Sequence, residues 1–161
     1  MKLLFLLFAF NSFASIQTPT LSDFSISESG TNWEATPAPP DSESIKALFR
    51  SKLSDNNTQA TLTARTELLE HGEKDLKDYV RRWLKEYPKF GYNVLGQKPF
   101  TLDGKPAYVV DLLSTTTDKQ ARQILSENNK TIVLLTCIDS KDHFDKSLPA
   151  CNTIIRNFKW K

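Results

Sequence analysis

Phe100-Thr101-Leu102-Asp103-Gly104-Lys105-Pro106-Ala107-Tyr108-Val109-Val110-Asp111-Leu112 is the stretch that decides the fold. Asp-Gly between two runs of strand-forming residues is the strongest short-range hairpin signal, because both turn positions need positive φ. Beyond the turn, Tyr108, Val110 and Leu112 alternate onto one face, the period of a strand. Upstream, the period-two pattern already begins at Tyr92. Downstream, past Thr115-Thr116-Thr117-Asp118, the runs Ala121–Ser126 and Thr131–Cys137 flank Asn128-Asn129, residues that tolerate a left-handed turn. Together these segments predict an antiparallel meander of about four strands.

Helical periods bracket the meander. Leu76, Tyr79, Val80, Trp83, Leu84 and Tyr87 form one continuous apolar stripe, which predicts a helix from Glu73 to Tyr87, ended by Pro88 and Gly91. Its other face carries Lys77, Asp78, Arg81, Arg82, Lys85 and Glu86, with Asp78 and Arg82 an i, i+4 pair, so these charges read as a solvated helix face. A second stripe, Phe144, Leu148, Cys151, Ile155 and Phe158, widened by Ile154, predicts a closing helix from Ser140 to Phe158. Pro149 is expected to break or kink that helix, with Ser147 as a new N-cap. Before the first helix, Ile45–Ser51 and Ala60–Leu68 are strand candidates separated by the polar turn Ser54-Asp55-Asn56-Asn57. Phe24 and Ile26 alternate with polar neighbours and Trp33 follows Gly30, so an early strand or two can join the domain, kept to an edge by Pro37, Pro39 and Pro40. No internal repeat is visible. Strands, helix, strands, helix, both helices amphipathic, is the pattern of an α+β fold with an antiparallel sheet covered by helices.

The N-terminus reads differently. Met1-Lys2 precedes the apolar run Leu3-Leu4-Phe5-Leu6-Leu7-Phe8-Ala9-Phe10, then Asn11-Ser12-Phe13-Ala14. One basic residue, a run shorter than the roughly 20 residues of a membrane span, and small residues at Ser12 and Ala14 make a secretory signal cleaved between Ala14 and Ser15. A buried helix or a retained anchor is the competing reading; lipidation has no Cys acceptor after the run. The compact signal points to a bacterial source and a periplasmic or secreted protein. Residues 1–14 are then the signal peptide, 15–32 a mobile leader rich in Ser, Thr and Pro, and 33–161 one domain. Cleavage leaves 147 of the 161 residues and, with Lys2 the only charge removed, takes the formal net charge from +2 to +1. That balance argues against nucleic-acid binding and against a mainly electrostatic membrane binder. No later segment is apolar for long enough to cross a bilayer.

Two cysteines, Cys137 and Cys151, are an even number in an oxidising compartment, and a disulfide is expected between them. Cys137 shares a strand face with Thr131, Val133 and Leu135, and Cys151 lies on the apolar stripe of the closing helix, so packing that helix on that face brings the sulfurs together. The competing arrangement is a thiol nucleophile at Cys137 with His143 as base and Asp139 as orienting carboxylate. With His71 and His143 the cysteines match no zinc spacing, and Asp139, Asp142, Asp145 and Glu127 match no calcium loop. Asp139 and Asp142 suit a helix N-terminus, and His71 before Gly72 a polar turn. No catalytic, metal-binding or cofactor-binding residue is assigned, and no phosphate loop, G-x-S-x-G or H-E-x-x-H occurs. Trp33 and Trp83 are expected in the core, and Trp160 as an anchor at the helix end rather than a contact residue. The sequons at Asn56 and Asn129 stay unused in a bacterial host.

The stretch Phe100 to Tyr108, Leu134-Leu135-Thr136-Cys137 and Ile154-Ile155-Arg156-Asn157-Phe158 resemble a superfamily: the PsbP-like α-β-α sandwich, with its DcrB-type periplasmic proteins and a nuclear-import factor that binds the GTPase Ran. The resemblance covers roughly residues 33 to 160 and implies that sandwich as the fold. Its motifs are structural, and it brings no catalytic residue to any position here. It implies a non-enzymatic accessory or interaction domain of the bacterial cell envelope whose partner is another envelope protein. A small-molecule or lipid carrier, with Tyr79, Trp83 and Tyr108 lining a pocket between layers, is the alternative, and an enzyme the least expected.

Overall fold

The computed structural model describes residues 23–52, 59–69 and 72–161. The signal segment with its Ala14–Ser15 cleavage point, the start of the leader, the Ser54 to Asn57 turn, the Asn56 sequon and His71 lie outside the described residues. In chain order the strands are β1 (Phe24–Ser25), β2 (Trp33–Thr36), β3 (Ile45–Ser51), β4 (Thr61–Leu68), β5 (Tyr92–Leu102), β6 (Lys105–Ser114), β7 (Lys119–Asn128), β8 (Thr131–Ser140) and β9 (Lys159–Trp160). Helix α1 (Leu76–Glu86) runs into a 3-10 turn at Tyr87–Phe90, and α2 spans Phe144–Arg156.

Asp103 and Gly104 take φ of 46° and 77°, closing the β5–β6 hairpin where the Asp-Gly signal stands. The second hairpin turn is one residue further on than expected. Asn128 still pairs with Thr131, and Asn129 and Lys130 hold the positive φ values, while Glu127 Oε1 accepts from the Lys130 N–H at 3.3 Å. Seven strands form one antiparallel sheet in the order β2-β3-β4-β8-β7-β6-β5, so the meander is joined through β8 to the earlier strands. The edges are β2, which stops before Pro37, and β5, which contains Pro99 and an irregularity between Val94 and Gly96.

Both faces of the sheet are buried, which explains why Ile132-Val133-Leu134-Leu135 is apolar without alternation. Val109, Ile124, Val133 and Leu135 face α2, with Phe144, Cys151, Ile154 and Ile155 packed on them. Val110, Leu125, Ile132 and Leu134 face α1, under Leu76, Tyr79 and Val80. The disulfide Cys137–Cys151, both residues fully buried and their Cα atoms 6.1 Å apart, ties β8 to α2.

Three expectations are corrected. The closing helix begins at Phe144, not Ser140, because β8 continues to Ser140 in register with Lys119. Pro149 does not break it: Ser147 is no N-cap but lies inside the helix, its N–H bonded to the His143 carbonyl at 3.1 Å and its hydroxyl donating to Asp139. The folded part starts before residue 33. Phe24 is 1% exposed, stacks on Phe158 with ring centroids 5.1 Å apart, and pairs with Trp160 through β1–β9. A buried aromatic side chain is enough to order a stretch whose Ser-rich composition reads as loose. Trp160 is an anchor, edge-on to Phe158 at 5.0 Å. Lys159 Nζ, 2.9 Å from Asp103 Oδ1, and the Trp160 N–H on Oδ2 hold the Asp103 carboxyl below its usual range and fix β9 to the β5–β6 turn.

Candidate functional site

Helix α1 and its 3-10 extension present the most distinctive surface of the described residues. The Asp75 side chain caps the helix, accepting from the Asp78 N–H at 2.9 Å, and Glu127 Oε2 accepts from the Leu76 N–H at 3.2 Å. Two carboxylates at the N-terminus satisfy orphan donors and meet the positive end of the helix dipole. The observed start, Leu76, lies three residues past the expected Glu73, the difference being this cap.

Its inner face is aromatic. Tyr79 is fully buried and its hydroxyl donates to Glu67 at 2.6 Å. The Tyr87 hydroxyl donates to Gln123 Oε1, whose Nε2 passes the chain on to Thr136 Oγ1 at 3.2 Å. Desolvation raises both phenols far above the ordinary tyrosine range, with Glu67 adding to the effect at each. Trp83 is partly buried, with ring centroids 6.3 Å from Tyr79, 5.7 Å from Tyr87 and 6.0 Å from Phe90. Phe90, at the end of this ladder, is 62% exposed. The Arg82 guanidinium lies 5.0 Å from the Tyr79 ring centre and 5.3 Å from that of Trp83, and its Nε is 2.5 Å from Glu73 Oε1.

The outer face is cationic. Lys77, Arg81, Lys85 and Lys89 recur every four residues and are all exposed. Arg81 Nη1 meets Asp78 at 2.7 Å and Lys89 Nζ meets Glu86 at 2.8 Å, pairs that water and salt screen. A groove of about 450 Å³ opens along this face, lined by Gly72, Glu73, Asp78, Arg81, Arg82 and Lys85.

The residues weighed for chemistry are placed apart from this face. Both sulfurs are in the disulfide, so Cys137 offers no thiol. His143 Nδ1 lies 3.0 Å from Ser140 Oγ, and Asp139 accepts from the Ser140 N–H at 2.7 Å and from the Ser147 hydroxyl. Asp139, expected at a helix N-terminus, remains in β8, and Asp145 occupies the first turn of α2 instead. Glu127 caps α1. Tyr79 belongs to the α1-side core, and Trp83 and Tyr108 pack against it. Trp33 is buried against α2-side residues as expected, whereas Trp83 is only partly so. Among the described residues no three His, Cys, Asp or Glu side chains gather as a metal-ligand set, and no helix is long and apolar enough to cross a membrane. What the sequence reading missed is Phe90. It stands outside the helical stripe, after Pro88, and its only signal was an aromatic placed beside Lys89 where a turn begins.

No family model and no curated protein sequence matches the chain. Solved structures do. LpqN, involved in cell envelope biogenesis of Mycobacterium tuberculosis, aligns with a TM-score of 0.66 at 16% identity, over 86% of this chain and 83% of its own. A protein of unknown function from Pseudomonas aeruginosa, PA94, gives 0.63 at 18% identity, over 78% and 94%. The cyanobacterial PsbP of Synechocystis gives 0.58 at 10% identity, over 92% and 99%. The fold is PsbP-like, as the hairpin and closing-helix motifs implied. At these identities the likeness is one of fold.

Proposed function

We propose that this chain is an exported, non-enzymatic accessory or interaction domain of the bacterial cell envelope, built as a PsbP-like α-β-α sandwich. The observation that carries the reading is the likeness to LpqN, a protein of cell envelope biogenesis, across most of both chains. Two features of the chain agree with it: a signal-like N-terminus and a disulfide between its two cysteines, chemistry suited to an oxidising compartment. Activity in this reading resides in surfaces, and the partner is another envelope protein.

The test is fractionation followed by capture. Expressed in a bacterial host, the protein is expected outside the cytoplasm, beginning at Ser15 by intact mass and with Cys137 and Cys151 bridged. Immobilised mature protein is then expected to retain a specific partner from envelope extract. A species still beginning at Met1 overturns the location, and an extract from which nothing is retained overturns the interaction role.

A further inference from the structure

The geometry points to the outer face of α1 and its 3-10 extension as a docking surface for an anionic phospholipid bilayer. The chain as a whole is close to charge balance, but its charge is not evenly spread. Between Glu73 and Phe90 there are six cations and four carboxylates, a net +2 equal to that of the whole chain. Lys77, Arg81 and Lys85 on the helix and Lys89 on its 3-10 extension are all exposed, a cluster of four cations of the kind that negative headgroups attract. Beside that cluster the groove of about 450 Å³ gathers Arg81, Arg82 and Lys85 with Glu73 and Asp78, three cations against two carboxylates. Arg82 is held by the largely buried Glu73, so Arg81 and Lys85 are the exposed cations of this net-positive seat for a phosphate headgroup. The carboxylates that now meet Arg81 and Lys89 are half-buried, but the cations themselves are exposed and can turn from them to lipid phosphate.

Phe90 selects a bilayer over a soluble polyanion. It is 62% exposed at the C-terminal end of the cluster, next to Lys89 and Pro88, and its ring extends the ladder that runs back through Trp83 into the core. A phosphate polymer has no use for an exposed phenyl ring, whereas the headgroup–acyl boundary accepts one. The carboxylate-capped N-terminus of α1 anchors the element to the sheet, so the surface is rigid before it meets lipid. This inference depends on the envelope reading only for access to a membrane.

Sedimentation of the purified mature protein with vesicles tests it without any envelope component. Phosphatidylcholine vesicles containing phosphatidylglycerol are expected to carry the protein down, and phosphatidylcholine alone is not. The double variant Arg81→Glu/Lys85→Glu should weaken binding at least roughly tenfold and flatten its salt dependence. Phe90→Ser should weaken it by roughly tenfold while leaving the salt dependence in place. All three positions are exposed, and thermal melting checks that each variant is folded. Equal binding to both vesicle types, binding by neither, or variants that bind as the parent does would overturn the inference. So would inorganic polyphosphate bound as tightly as vesicles with Phe90→Ser without effect, which would make the cluster a soluble-anion site. Failure here with correct export and a retained protein partner would leave the proposed function standing.

Discussion

At Tyr79 a phenol is buried against a carboxylate, and the consequence appears in alkali. Burial and Glu67 raise the phenol well above the ordinary value of 10.0, and Tyr87 is raised for the same first reason. A group that keeps its proton in the folded state and loses it in the unfolded one stabilises the fold fully below the unfolded value. That contribution is lost as pH rises above about 10. Each such tyrosine steepens the loss by up to about 1.4 kcal/mol per pH unit. Chemical denaturation across that range is therefore expected to show Tyr79→Phe losing stability less steeply than the parent, although at neutral pH it is weaker by about 1 kcal/mol for the missing hydrogen bond to Glu67. Parallel curves for parent and variant would show that Tyr79 ionises no differently on unfolding.

At the scale of elements, α2 is a helix held against its own sequence. Pro149 removes the hydrogen bond its N–H would give to the Asp145 carbonyl, yet the helix runs through. What holds it comes from β8: Asp139 accepting from the Ser147 hydroxyl ahead of the proline, and Cys137 bridged to Cys151 behind it. Pro149 is exposed, so Pro149→Ala restores the bond without disturbing packing and should stabilise by about 2 kcal/mol in urea unfolding. Cys137→Ser and Cys151→Ser should each cost about 3 kcal/mol, from the loop-closure entropy of a separation of 14 residues. The double variant should cost little more than either, because one bond is lost in all three; additive losses would mean the two positions act separately. These elements also mark how far the sequence could be read. The Asp103-Gly104 turn, the strands of the meander and the stripe of α1 were legible because each rests on short-range chemistry: positive φ, period two, period 3.6. The survival of α2 through Pro149 was not, since it depends on groups brought from β8. Nor was the exposure of Phe90, because a 3-10 turn takes it off the helical period.

At the scale of the whole molecule, the two ends of the described chain meet in a small sheet of their own. Phe24 pairs with Trp160 and Ser25 with Lys159, and Asn157 Nδ2 donates to the Ser27 and Ser29 carbonyls at 3.1 and 2.8 Å. Removing residues 159–161 strips Phe24 of its strand partner and of the Trp160 ring 6.5 Å away, and is expected to cost about 2 kcal/mol, read as a lowered melting temperature. An unchanged melt would show that Phe158 alone secures Phe24. The pairing also has a consequence in time. A nascent polypeptide emerges from the ribosome amino end first, so the segment bearing Phe24 is delivered early, while Lys159 and Trp160 follow only after the whole meander and α2. The meander can zip as it appears, but this clasp cannot shut until Trp160 has been made. Closure of the clasp is thus expected to come late in folding, after the seven-stranded sheet has formed.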